Sequence, residues 1–179
     1  MDGFEIAGAI LGIVNVALII RRSLWNYPFG IAMVILYGLV FFRARLYSDA
    51  ALQAYFLAVQ LYGWWNWARA RADDGGVRIG AMTQGQRMAW GSLAVAGSVA
   101  LAWILQSHTD DAAPWPDAFT AVFSVIAQYL LSIRRIENWV VWIGVDVVSI
   151  GLYFWRGLLP TAGLYSVFIL LAITGLVQW

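Results

Sequence analysis

The chain has no cysteine, no lysine and a single histidine, and only 12% of its 179 residues are charged. Without cysteine there are no disulfides and no thiolate metal sites, and His108 alone cannot build a histidine-rich one. No Ser-His-Asp or Cys-His set can be assembled, and no Gly-rich phosphate loop is present, so an enzymatic site is hard to build and a membrane enzyme acting on lipid-linked substrates is the least favoured reading. No cofactor is implied. The net charge of +1 gives no sign of a nucleic-acid partner. What is abundant is apolar: hydrophobic residues make up 62% of the chain and mean hydropathy is +0.73, which excludes an ordinary soluble domain. Asp2 and Glu5 stand where a secretory signal carries positive charge, and no small-residue cleavage site follows. The first apolar run is therefore expected to be a retained helix.

Hydropathy predicts seven spans, at about 4–20, 26–43, 49–67, 87–106, 116–133, 138–156 and 159–178. Each is close to the roughly 20 residues that cross a 30 Å hydrocarbon core. All eleven basic residues are arginines, and they divide between alternate connections as 3 against 8. By the positive-inside rule the amino terminus is expected outside and the carboxyl terminus in the cytoplasm. The loop with His108, Asp110, Asp111 and Asp117 but no arginine fits the outer side. The longest loop, Arg69 to Arg87, contains Asp73-Asp74-Gly75-Gly76 and is expected to be a flexible turn.

The two ends of the chain resemble each other. Trp25 and Gly30 share the spacing of Trp139 and Gly144. Phe41-Phe42-Arg43 returns as Phe154-Trp155-Arg156, and Gly63 to Trp67 loosely as Gly175 to Trp179, the offset drifting from 114 to 113 to 112. Three spans per copy would reverse the second copy, and one extra span restores its direction. The expected architecture is an all-α integral membrane protein of seven transmembrane helices arranged 3+1+3. Residues 1–70 and 112–179 would form parallel three-helix repeats, joined by a loop and linker helix over 71–111, with the solute site between them.

The polar residues inside the spans point to that site. In the sixth span Trp139, Trp142, Asp146, Ser149 and Tyr153 fall within roughly 80° of one another on a helix, opposite Val, Ile and Gly. A mid-span carboxylate is costly and is read as functional. In the third span Gln53, Gln60, Trp64 and Trp67 share a face within roughly 60°, with Asn66 beside them. Asn26, Met33 and Tyr37 in the second span and Thr120, Ser124 and Gln128 in the fifth add amides and hydroxyls. Such groups suit a small, flat, polar solute. Amides pair with a carboxamide, hydroxyls with sugar hydroxyls, tryptophans stack on a ring or cation, and Asp146 balances positive charge.

Three stretches carry a family resemblance: Trp25 to Gly30, Tyr47 to Trp67, and Glu137-Asn138-Trp139 through Asp146 to Tyr153. Together they resemble the Pnu family of vitamin-precursor transporters, over nearly the whole chain. The resemblance implies a fold similar to the sugar-transporting SWEET proteins, a homotrimer, and facilitated diffusion of nicotinamide riboside across a bacterial inner membrane. It also implies trapping of the vitamin inside by phosphorylation on the way to NAD. The expected solute-binding residues are Tyr37, Gln53, Gln60, Trp64, Asn66, Gln128, Asn138, Trp139, Trp142, Asp146 and Tyr153.

Other readings stand beside these. The same scaffold suits thiamine or riboflavin, or the substrate-binding subunit of an energised vitamin transporter. Gln53 also fits an interfacial cap. Trp25, Trp65, Trp115 and Trp179 read as interfacial belt, whereas Trp64, Trp139 and Trp142 fit belt or site. Asn15 and the Gly8/Gly12 pair read as helix packing, His108 as solvated, and Arg134 and Arg135 as topology signals able to meet lipid headgroups.

Overall fold

A computed structural model describes residues 3–43, 45, 47–70 and 76–179, with side chains from residue 7 in the first helix and from residue 50 in the third. The Asp73-Asp74-Gly75 turn lies outside the described residues. The rest is helical because, at membrane depth, a helix satisfies its own backbone groups. The elements are α1 (Gly3–Ile20), α2 (Asn26–Arg43), α3 (Tyr47–Ala68), α4 (Gln84–His108), α5 (Pro114–Ser132), α6 (Glu137–Trp155) and α7 (Leu159–Gln178). Every expected span is present, and each boundary falls within three residues of its expected place.

Local chemistry sets the ends. Proline lies in the first turn of α5 and of α7, where a missing N–H costs nothing. α4 opens with a capping box, in which the Thr83 hydroxyl accepts from the Gln86 N–H at 3.3 Å and the Gln86 side chain accepts from the Thr83 N–H at 3.0 Å. The chain leaves α6 at Gly157, with φ of 73°.

Four helices, α2, α4, α6 and α7, are long and apolar enough to cross a membrane by composition alone. In α3 and α5 the glutamines and hydroxyl residues dilute that signal, and several of these polar groups face inward. Outward faces carry large apolar groups such as Leu39, Phe42, Val140, Val147 and Leu170. This is a multi-pass membrane protein.

Helix packing forms a closed ring: α1 on α2, α2 on α3, α3 on α5, α5 on α6, α6 on α7, and α7 back on α1. α4 stands outside, packed along α5 and tied to the start of α6 by the Arg87–Glu137 pair. The ring is two-fold in its backbone detail, and the register differs from the drifting offset. Arg22 and Arg134 both adopt left-handed φ, 53° and 60°, and each donates its N–H to the carbonyl three residues back, on Ile19 and Leu131. Asn26 and Asn138 both bond through Nδ2, at 2.6 Å, to the carbonyl three residues back. At the other end Arg45 and Gly157 close turns onto Phe42 and Phe154. Every pair is 112 positions apart. Trp139 therefore corresponds to Tyr27, not Trp25, and the offset is constant. Matching tryptophan to tryptophan followed side-chain identity, whereas the turns fix the register.

The aromatic packing obeys the same rule. Tyr27 meets Trp67 edge-on at 5.5 Å and Trp139 meets Trp179 edge-on at 5.2 Å. Each of these first side chains lies on a glycine: a Cβ on Gly63 would come within 2.7 Å of the Tyr27 hydroxyl, and one on Gly175 within 2.5 Å of the Trp139 ring. Trp67 Nε1 donates to the Leu131 carbonyl at 3.0 Å, and Trp179 Nε1 donates to the Ile20 carbonyl at 3.2 Å. Each repeat thus ends in a tryptophan anchored on the other. Trp179 is half-buried, which removes it from the interfacial belt, while Trp25, Trp65 and Trp115 are each more than half exposed.

Candidate functional site

The ring encloses a cavity of about 470 Å3, within the range of small-molecule sites. α1, α2, α3, α5, α6 and α7 line it, and α4 contributes nothing. Of the eleven expected solute-binding residues, nine face it: Tyr37, Gln53, Gln60, Gln128, Asn138, Trp139, Trp142, Asp146 and Tyr153.

Trp64 and Asn66 do not line it. Trp64 is 40% exposed and stacks on Tyr27 with centroids 6.2 Å apart. Tyr27, the counterpart of Trp139, fills the space on that side of the ring. Asn66 works as a latch, its Nδ2 donating to the Ser132 carbonyl at 2.9 Å while its own carbonyl accepts from Arg134 Nη1 at 3.1 Å. Three further groups enter the lining. Asn15, read as a packing residue, faces the cavity and donates through Nδ2 to the Asn26 carbonyl at 2.6 Å. Thr161, Tyr165, Phe168 and Ala172 form a wall on α7, and their i, i+4, i+7, i+11 spacing was the available signal. Phe41 and Phe56 add rings from α2 and α3.

Among the described residues Asp146 is the one charged group in the lining, and it is only 4% exposed. Its counterpart 112 positions earlier, Val34, is also in the lining. Among the described residues the ion pairs lie at the ends of the helices. Arg87 meets Glu137 at 2.8 Å, and Arg156 meets Asp117 at 2.5 Å and Asp111 at 3.6 Å. None involves Asp146. About two turns before it on α6, Asn138 Oδ1 and Trp139 Nε1 are buried with no partner among the described residues. A buried acceptor and a buried donor without partners on successive residues are unusual for a structure that satisfies its buried polar groups.

One end of the cavity is shut. Its floor is Ile19, Leu131, Trp139 and Ala172, and below them Val77, 1% exposed, completes the same apolar cluster with Tyr27 and Trp67. Val77 belongs to the stretch leading into α4, which is strapped to the α5–α6 turn. Gly80 donates to the Arg134 carbonyl and accepts from the Ile136 N–H, both at 3.0 Å. Arg135 Nη1 donates to the Ala81 carbonyl at 3.1 Å, and the Met82 N–H donates to Glu137 Oε1 at 2.9 Å.

A ring of six membrane helices around a largely polar-and-aromatic cavity, closed at one end by a separate strap, is the build of a small-solute transporter. Residues 2–179 match the family described as Nicotinamide mononucleotide transporter, and the chain belongs to that family; it is a transporter and not an enzyme. It is 35% identical to the riboflavin/roseoflavin transporter RibM of Streptomyces davaonensis, over 98% of this chain and 83% of the relative. It is 24% identical to the nicotinamide riboside transporter PnuC of Escherichia coli, over 100% of this chain and 85% of that one. The crystal structure of the vitamin B3 transporter PnuC superposes with a TM-score of 0.79 at 26% identity, covering 97% of this chain and 78% of that chain.

Proposed function

We propose that this chain carries nicotinamide riboside into the cell by facilitated diffusion, the vitamin being trapped inside by phosphorylation. The observation that carries this reading is Asp146, the one carboxylate among the described residues of a cavity that also holds two tryptophans and three tyrosines. A pyridinium ring is a flat cation, which such a cavity stabilises by charge and by stacking together. The amides of Gln60 and Gln128 in the lining match a carboxamide and sugar hydroxyls. Riboflavin is the second reading, favoured by the relative named for that vitamin at 35% identity. Calorimetry on the purified protein with nicotinamide riboside, thiamine and riboflavin decides. Binding of nicotinamide riboside alone is the expected result, and binding of riboflavin alone would transfer the assignment.

In this reading the arginine-rich end faces the cytoplasm and the amino terminus faces out. Residues 1–70 and 112–179 rock as two units about the midplane site. The strap is hydrogen-bonded mainly to the second unit, so release at the cytoplasmic end requires Val77 to leave the first. A thiol introduced by Val77→Cys is specific in a cysteine-free chain. Its reaction with a maleimide from the cytoplasmic face is expected to track opening and, once complete, to abolish uptake because the adduct cannot be reseated. A thiol that never reacts during transport would count against this release path. The homotrimer belongs to the same proposal, and light scattering in detergent should give three times the mass of one chain.

A further inference from the structure

Gly30, in the second turn of α2, is buried but is not itself part of the cavity lining. A Cβ placed on it would overlap Gln60 Oε1 and would stand 2.8 Å from Asn15 Nδ2 and 3.0 Å from Gln60 Cδ. The carboxamide of Gln60 thus fills the volume that a side chain on α2 would take, with its oxygen against the α2 backbone and Asn15 beside it. Asn15 is itself held, through its bond to the Asn26 carbonyl. Gln60 is 6% exposed, lines the cavity, and has no hydrogen-bond partner among the described residues. Nothing polar holds this amide in place. Its position is set by shape, and the shape is the missing side chain of Gly30.

The other repeat has no such slot. The position 112 beyond Gly30 is Trp142 and the one beyond Gln60 is Ala172, so the large and small groups have changed places between the halves. The slot serves one side of the cavity only. That asymmetry is what a one-sided solute requires, and it is not needed for the helix packing, which is two-fold.

We infer that Gly30 is a positioning residue for the solute. By carrying no side chain it seats the Gln60 carboxamide flat on α2, where it presents a donor and an acceptor to the polar edge of the transported ring, a carboxamide or an imide. This rests on the vitamin-carrier reading above. An amide at membrane depth without a partner is costly, and the solute's own donor and acceptor relieve that cost when it binds.

The test is a double-mutant cycle on the full chain with Gly30→Ala, Gln60→Ala and both together, reading nicotinamide riboside affinity by calorimetry and Tm without ligand. Each single change is expected to weaken binding about tenfold, and the double variant to bind no worse than Gln60→Ala, because Gly30 acts only through Gln60. Without ligand, Gly30→Ala should lower Tm more in the parent than in the Gln60→Ala background, where the methyl group meets only Asn15 Nδ2. If Gly30→Ala alone fails to fold, the double variant still should, and its affinity must match that of Gln60→Ala. Additive losses, or parent-like binding by Gly30→Ala, would overturn the assignment. If riboflavin replaces nicotinamide riboside as ligand of the parent, the same cycle is read with riboflavin. A parent that binds neither vitamin removes the carrier reading and this inference with it, whereas additivity in a parent that binds removes the inference alone.

Discussion

Asp146→Asn is expected to weaken nicotinamide riboside binding roughly thirtyfold, about 2 kcal/mol, without lowering Tm of the ligand-free protein. The carboxylate is 4% exposed and, among the described residues, is the single charge in the lining and has no arginine partner. Empty, the cavity bears the cost of a desolvated charge; occupied by a cation, it recovers that cost as attraction. Asparagine keeps the shape and removes both effects. The reduced dihydropyridine form of the same riboside has no positive charge, and its affinity should change little. Calorimetry with the two forms on parent and variant separates charge recognition from shape. Equal losses for both would mean that Asp146 works as a hydrogen-bond acceptor, and a large fall in Tm would make it a structural strut.

Trp67→Ala is expected to cost about 3–5 kcal/mol of stability, the largest effect of any single truncation at the arginine-rich end. The side chain is fully buried, meets Tyr27 edge-on and Trp179 at 5.8 Å, and reaches from α3 to the Leu131 carbonyl of the opposite repeat. Trp67→Phe keeps most of the apolar contact and loses one hydrogen bond. The Leu131 carbonyl retains the Arg134 N–H at 2.9 Å, so the phenylalanine variant should lose only about 1 kcal/mol. Trp179→Ala, at the more exposed counterpart, should fall between the two. Thermal unfolding in detergent checks the order, and a Trp67→Ala protein as stable as its parent would show that the halves are held elsewhere.

The helices were legible because an apolar run bounded by arginine and proline leaves one interpretation at membrane depth. The α6 stripe was legible for a related reason. Asp146 and Ser149 are costly in hydrocarbon, so the face they share must turn inward, and the outward positions Val140 and Val147 are more than half exposed. Periodicity gives the angle around a helix but not the path of the neighbour that crosses it. Trp64 shares a helical face with Gln60 and still leaves the cavity, because Tyr27 occupies the space beside it. Trp179 looks like a belt residue until α1 is seen passing beneath it. Asn15, isolated in an apolar helix, gave no pattern to read, and its place against Gly30 depends on three helices meeting.

The constant register between the halves bears on how such a cavity comes to hold Asp146 on one side and Val34 at the matching place on the other. A ring built from two identical three-helix chains would carry at position 34 whatever it carries at position 146. It would have two carboxylates facing one another across a desolvated space, or none. Two would repel, and none would leave a cation unpaired. Joining the copies through α4 frees each half to differ, so valine stands on one side and aspartate on the other. Fusion is thus what allows a carboxylate on one side of the ring with none at the matching place on the other.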